Sequence, residues 1–212
     1  NWNDADLARE LSRIRDFERM LSEDGVLLVK FWYHFAEDVQ RKRLKELQRN
    51  DRSRWKMLPK KSEFSTQYAL FEHVAEQVVR DSDTGRSPWY IIEAADTRYR
   101  DLTTGQTLLR VLETRLGEGP TATESPTPSP TPTTVDEPQA RVTLIDTLDL
   151  TQTLSKEAYR AELYSLQTEL NELAWQAYKA GRSTVLVLEG WDAAGKGGSI
   201  RRVTQAVDAR LY

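Results

Sequence analysis

The stretch Thr184-Val-Leu-Val-Leu-Glu-Gly190-Trp-Asp-Ala-Ala-Gly195-Lys196-Gly197-Gly198 constrains the fold more than any other part of the chain. The apolar run Val185 to Leu188 is short and β-branched, which predicts a buried parallel strand. It ends at Gly190 and opens a loop of the form G-x-x-x-x-G-K, followed by a helical pattern over Ser199–Val207. Backbone N–H groups in such a loop converge on phosphate oxygens. Glycines allow the close approach, a lysine adds positive charge, and the next helix adds the positive end of its dipole. The backbone of Gly190, Ala193, Ala194, Gly195, Lys196, Gly197 and Gly198 is therefore the expected phosphate cradle, and phosphoryl transfer the expected chemistry. Gly197 stands where Ser or Thr usually ligates Mg²⁺. Asp192, inside the loop, is the candidate metal ligand and, with Lys196, the candidate catalytic pair.

A second landmark divides the chain. Residues 118–140 are dominated by Pro, Ser and Thr. That composition cannot build a packed core and predicts an extended linker. On its N-terminal side, residues 1–117 alternate helical and strand patterns: a helix carrying Leu7, Leu11, Ile14, Phe17, Glu18 and Leu21 up to Gly25, an apolar strand over Val26–Phe35, a charged helix over 37–49, a helix near 65–81, a strand over Ser87–Glu93 and a helix over Thr97–Leu116. Strands alternating with helices imply a parallel α/β sheet. On the C-terminal side, residues 141–212 hold a helix near 156–180 opened by a Ser155 cap and striped with Leu163, Leu166, Leu170, Leu173 and Ala177. The strand and loop follow it.

Charge narrows the partners. The chain has 212 residues and a net charge of −3, which gives no general case for nucleic acid. Yet Arg41, Lys42, Arg43, Lys45, Arg49, Arg52, Arg54, Lys56, Lys60 and Lys61 crowd one segment against only Glu46 and Asp51. Such a local excess needs a polyanion or a solvated helix face. Trp55 is the only aromatic within it, so it offers no ladder for stacked bases. The absence of cysteine excludes disulfides and thiolate metal sites, and fits a reducing, cytoplasmic compartment. No apolar run approaches the roughly 18–20 residues of a membrane span. His34 and His73 are expected to be structural, since two isolated histidines make no metal site.

Taken together these motifs resemble the polyphosphate kinase 2 family, and within it the two-domain bacterial polyphosphate:AMP phosphotransferases. The residues that carry the resemblance are Leu154-Ser-Lys-Glu-Ala-Tyr159, Leu166 to Leu173, and Glu189-Gly-Trp-Asp-Ala-Ala-Gly-Lys-Gly-Gly198. In the first block they are Phe17-Glu18, Lys30-Phe-Trp-Tyr-His34, Arg54-Trp-Lys56 and Ser87-Pro-Trp-Tyr90. The resemblance implies a P-loop kinase-type three-layer α/β/α fold with a parallel sheet. It implies transfer of a phosphoryl group from inorganic polyphosphate to AMP, giving ADP, with Mg²⁺ working through Asp192. It also implies a basic lid from which Arg41, Arg43, Arg49 and Lys56 touch phosphates. The chain is then expected to hold the C-terminal half of a first domain, the linker, and the N-terminal part of a second. On that expectation no complete active site is present and the chain by itself is inactive. An ATP-dependent P-loop nucleotide kinase and a non-catalytic phosphate-binding or assembly module are the alternatives, and homo-oligomerisation stays open.

Overall fold

A computed structural model describes residues 4–49, 68–117 and 147–212. The linker 118–140 lies outside these residues, as do Lys56 and the side chain of Arg49. The elements, in chain order, are α1 (Asp4–Glu23), β1 (Leu27–His34), α2 (Glu37–Arg49), α3 (Tyr68–Ser82), β2 (Trp89–Glu93), α4 (Thr97–Gly117), α5 (Lys156–Lys179), β3 (Thr184–Gly190) and α6 (Lys196–Ala206), with a final 3₁₀ turn at Ala209–Leu211.

The three strands form one parallel sheet in the order β2-β1-β3. The central strand β1 comes from the first sequence block and pairs with β3 from the second, Leu27 beside Thr184 and Tyr33 beside Gly190. Its other edge pairs with β2, Lys30 beside Trp89 and His34 beside Glu93.

Strand alternation sends successive β1 side chains to opposite faces. Val29, Phe31 and Tyr33, with Phe35 just beyond the strand, join Leu108, Leu109 and Leu112 of α4 and Leu170 and Leu173 of α5 in the main core. Trp32 packs on the other face with Ala75 and Val79 of α3. Helices α1 and α3 thus cover one face and α4 to α6 the other, a three-layer α/β/α arrangement. A parallel sheet needs such cover because both of its faces are apolar. Each large side chain buried this way contributes about 1.5–3 kcal/mol.

Lys30 is the exception within β1. It is 1% exposed and donates to Glu18 of α1 at 2.9 Å and to the Ser82 carbonyl at 2.7 Å, with its ammonium 4.9 Å from the centre of the Trp89 ring. Glu18 also accepts from the Ser87 hydroxyl at 2.9 Å. This ion pair ties α1 to β1. Leu11 is buried, whereas Ile14 and Phe17, expected on the packed side, are 44% and 57% exposed. The pattern of apolar residues was correct for a helix. Ile14, one turn from Glu18 on the same side of the helix, stays exposed all the same.

The second block forms the expected elements, with one correction: Val185–Leu188, expected to be a buried strand, lies at the edge of the sheet among the described residues, with Val185 39% exposed and Leu186 to Leu188 only half-buried. Ser155 caps α5 by accepting from the Ala158 N–H at 3.1 Å, and Leu170, Leu173 and Ala177 are buried. Helix α6 starts at Lys196, earlier than the Ser199 onset read from the sequence, because Gly195 caps it at φ +92°. No helix among the described residues is long and apolar enough to cross a membrane.

Breaking a buried pair strands a charge, so Lys30→Ala should lower the unfolding free energy by about 3–5 kcal/mol. Replacing both partners, Lys30→Met with Glu18→Leu, should recover most of that loss. Urea denaturation of the three proteins checks it, and an unchanged midpoint for Lys30→Ala would contradict the assignment.

Candidate functional site

The C-terminal ends of the parallel strands carry the loop Gly190–Gly195, the place where α/β sheets bind ligands. The loop's shape starts from the approach of β1 to β3. Gly190 has φ +131°, and a Cβ there would collide with the backbone carbonyl of Tyr33. The Trp191 N–H continues the pairing to Tyr33 O at 3.3 Å, and the Ala194 N–H turns back to Trp191 O at 3.1 Å. Ala193 takes φ +66°, a left-handed conformation that costs a residue with a Cβ about 1–3 kcal/mol. Gly195 O then accepts from the Gly198 and Ser199 N–H groups at 2.7 and 3.1 Å. Helix α6 starts directly after the loop, so the positive end of its dipole lies there.

The loop's carbonyl oxygens are held by cations. Lys196 Nζ donates to Gly190 O, and to Trp191 O at 3.0 Å, closing the loop on itself. Arg43 reaches in from α2, donating to Ala193 O at 2.8 Å and to Ala94 O and Ala95 O beyond β2 at 2.9 and 2.6 Å. Arg100, from the first turns of α4, donates to Ala194 O at 2.7 Å and to the Ser199 hydroxyl at 3.0 Å. Burial, then the neighbouring Arg100, lowers the pKa of Arg43. A guanidinium stays charged through such a shift.

Arg100 is itself fixed. It is 2% exposed and pairs with Asp101 at 2.6 Å. Asp101 also accepts from the Ser199 hydroxyl at 2.9 Å and lies 3.9 Å from Arg202. A Cβ on Gly195 would run into the Arg100 guanidinium, and one on Gly198 would meet it at 3.0 Å. Those glycines make room for an arginine beneath the loop.

Aromatic packing seats the loop on the sheet. Trp191 is buried, stacked on Tyr68 with ring centres 4.1 Å apart, and donates its indole N–H to His34 Nδ1 at 3.0 Å. His34 therefore acts structurally, as expected, and Trp191 fills space under the loop. Beside it, Glu93 accepts from the Ala95 N–H at 2.6 Å, and its pKa is raised chiefly by burial. Asp96 caps α4 by accepting from the Arg98 and Tyr99 N–H groups at 2.8 and 3.0 Å. Burial opposes its ionisation, but these bonds bring its pKa below the ordinary value.

Of the residues expected at the site, the structure brings together Gly190 through Gly198 with Arg43. Arg41, on the exposed side of α2, pairs with Glu37 at 2.8 Å. Arg49 closes α2, with its side chain outside the described residues, and Lys56 is outside them altogether. Asp192 is half-buried within the loop, and the described residues contain no cluster of three or more His, Cys, Asp or Glu able to hold a metal. Sequence reasoning missed Arg100, Asp101 and Ser199. A signal for Arg100 existed: it lies in phase with Thr104, Leu108 and Leu112, all buried along α4. A charge on a core stripe has to have partners.

A phosphate-type loop on a parallel sheet, backed by a basic helix, has known counterparts. The family model for Polyphosphate kinase 2 (PPK2) matches residues 2–119 and 153–212, on both sides of the Pro/Thr segment. The chain belongs to the Polyphosphate kinase 2 family. It is similar to the polyphosphate:AMP phosphotransferase of Pseudomonas aeruginosa, with 40% identity over 209 residues, 99% of this chain and 41% of that protein. The enzyme of the same name from Pseudomonas syringae pathovar tomato is 36% identical over 211 residues, 100% of this chain and 42% of that one. A solved structure from P. aeruginosa PA01, described provisionally as a polyphosphate kinase 2, shares 35% identity at a TM-score of 0.44, covering 99% of this chain and 36% of that one. The chain thus spans about two fifths of the length of the curated relatives it matches.

Two glycines in this family loop should respond oppositely to alanine. Gly190→Ala forces a clash with β1 and should cost roughly 2–4 kcal/mol. Gly197, helical and with open space at its Cβ, should gain about 0.5–1 kcal/mol as alanine. Thermal melts of both variants read the difference, and equal shifts would contradict the geometry.

Glu93 should set a pH dependence. Its raised pKa means that the protonated form is favoured more in the folded than in the unfolded state. That contribution is full below the ordinary value of 4.5 and is lost as pH rises through the raised value. Glu93→Gln should flatten the pH profile of melting temperature just above the ordinary carboxylate range, and an unaltered profile would contradict it.

Proposed function

We propose that this chain contributes the phosphate loop and basic lid of an enzyme that transfers a phosphoryl group from inorganic polyphosphate to AMP, giving ADP. The observation that carries the reading is the loop on β3, with the carbonyls of Gly190, Trp191, Ala193 and Ala194 all held by Lys196, Arg43 and Arg100. Tying the oxygens down leaves the concavity to N–H groups and positive charge, which suits a phosphate and repels a cation. Membership of the family and the printed names of the relatives support polyphosphate as donor and AMP as acceptor.

In this reading the backbone of Gly190 and of Ala193 to Gly198 surrounds a phosphate, and Lys196 offsets its charge. Phosphoryl transfer needs positioning and charge neutralisation more than covalent help from the protein. By resemblance to the family, Arg41, Arg49 and Lys56 would contact a long polyanion, and Arg43 anchors α2 to the loop. Mg²⁺ fits the chemistry of the donor set, because it binds through one or two carboxylates plus substrate phosphates. Asp192 would hold it, and the ion would neutralise phosphate charge. We read residues 1–117 and 141–212 as parts of two successive domains of this type, joined by 118–140. A cytoplasmic location is supported by the lack of cysteine.

The test is a phosphotransfer assay with AMP, Mg²⁺ and polyphosphate but no ATP, run on this chain and on a longer protein containing it. ADP is expected from the longer protein, with Lys196→Ala lowering its rate by on the order of 10²–10³. Turnover with ATP and none with polyphosphate would contradict the donor assignment.

A further inference from the structure

The Ala194–Gly195 peptide deserves a closer physical account than its sequence suggests. No cis peptide bond occurs among the described residues, so this unit is planar and trans, and its C=O and N–H point in opposite directions. Arg100 Nη1 holds the carbonyl at 2.7 Å, from the side of the loop on which the guanidinium lies against the Tyr33 ring at 5.9 Å. The Gly195 N–H must therefore point away from Arg100, out of the opposite face of the loop. The preceding peptide differs. Arg43 holds its carbonyl, Ala193 O, at 2.8 Å, but its N–H is used inside the loop, donated to Trp191 O at 3.1 Å.

We propose that Arg100, locked by Asp101 and Ser199, is a positioning residue that sets the Ala194–Gly195 peptide and so presents the Gly195 N–H to a phosphate oxygen. The proposal deepens the phosphate reading given above and rests on it for the identity of the ligand. Arg100 does not touch the phosphate, because the backbone of Ala194 and Gly195 stands between. Its rigid fork is what the task needs. One plane supplies Nη1 to Ala194 O, Nε to the Ser199 hydroxyl at 3.0 Å, and both Nε and Nη2 to Asp101 at 2.9 and 2.6 Å. A lysine has the charge but not the fork. Gly195 fits the same scheme, since a side chain there would displace the guanidinium.

The experiment compares the 212-residue chain with Arg100→Lys and with the pair Arg100→Gln, Asp101→Asn. The pair removes both charges, so neither is left buried alone. Calorimetric titration with tripolyphosphate should show binding weakened at least about tenfold in both, as expected for losing one oriented bond to an anion. Crystal structures should show the Ala194–Gly195 peptide rotated from its original orientation. Unchanged affinity, or an unrotated peptide in the folded pair variant, would overturn the proposal. A parent chain that binds no tripolyphosphate would instead fell the phosphate reading, and peptide rotation alone would then decide the role of Arg100.

Discussion

A loop can gather its N–H groups on an anion only if its carbonyl oxygens are turned away and satisfied elsewhere. The loop on β3 meets that condition. Four carbonyls, those of Gly190, Trp191, Ala193 and Ala194, accept from Lys196, Arg43 and Arg100. An unpaired backbone carbonyl away from water would cost about 1–3 kcal/mol. Charged donors satisfy these groups more strongly than neutral ones, and they leave positive charge beneath a site that faces phosphate.

The fold exists to bring those donors to one place. Lys196 lies beside the loop in sequence, Arg43 on a helix leaving β1, and Arg100 on a helix leaving β2. Parallel pairing puts the C-terminal ends of β1, β2 and β3 at one edge, so segments far apart in sequence meet there. The register has to be right at one point in particular, where Gly190 abuts the Tyr33 backbone without room for a Cβ. On the far side of the sheet, Lys30 and Glu18 fix α1 to β1. The Pro/Thr segment separates these blocks in sequence, yet their strands share one sheet.

Much of this was legible in the sequence because local patterns agreed with the global result. The strand into Gly190, the Ser155 cap and the leucine stripe of α5 are local patterns that depend on near neighbours, whereas the burial expected of Val185–Leu188 depends on a neighbouring strand that the described sheet does not place beyond β3. Arg43 was legible as one charge of a basic segment, but not as a partner of three carbonyls, because those lie 150, 51 and 52 positions away. Charge counts cannot tell a solvated arginine such as Arg41 from a half-buried one such as Arg43. Periodicity puts Ile14 and Phe17 on the packed face of α1, yet they are exposed while Leu11 of the same helix is buried. Arg100 was hidden for the opposite reason: helix α4 reads as an ordinary amphipathic helix unless a charge in phase with its core stripe is itself treated as a clue.

The central claim is that Arg43 and Arg100 hold the Ala193 and Ala194 carbonyls on one side of the loop, so that the Gly195 N–H and the start of α6 face an anion on the other. Amide-resolved nuclear magnetic resonance of the 212-residue chain during titration with tripolyphosphate tests it most directly. The account predicts that the largest and mutually parallel shifts fall on the amides of Gly195, Lys196 and Gly197, while the α5 and β2 amides stay in place. Shifts centred elsewhere, or spread evenly along the exposed basic face of α2 with the loop amides unmoved, would contradict it.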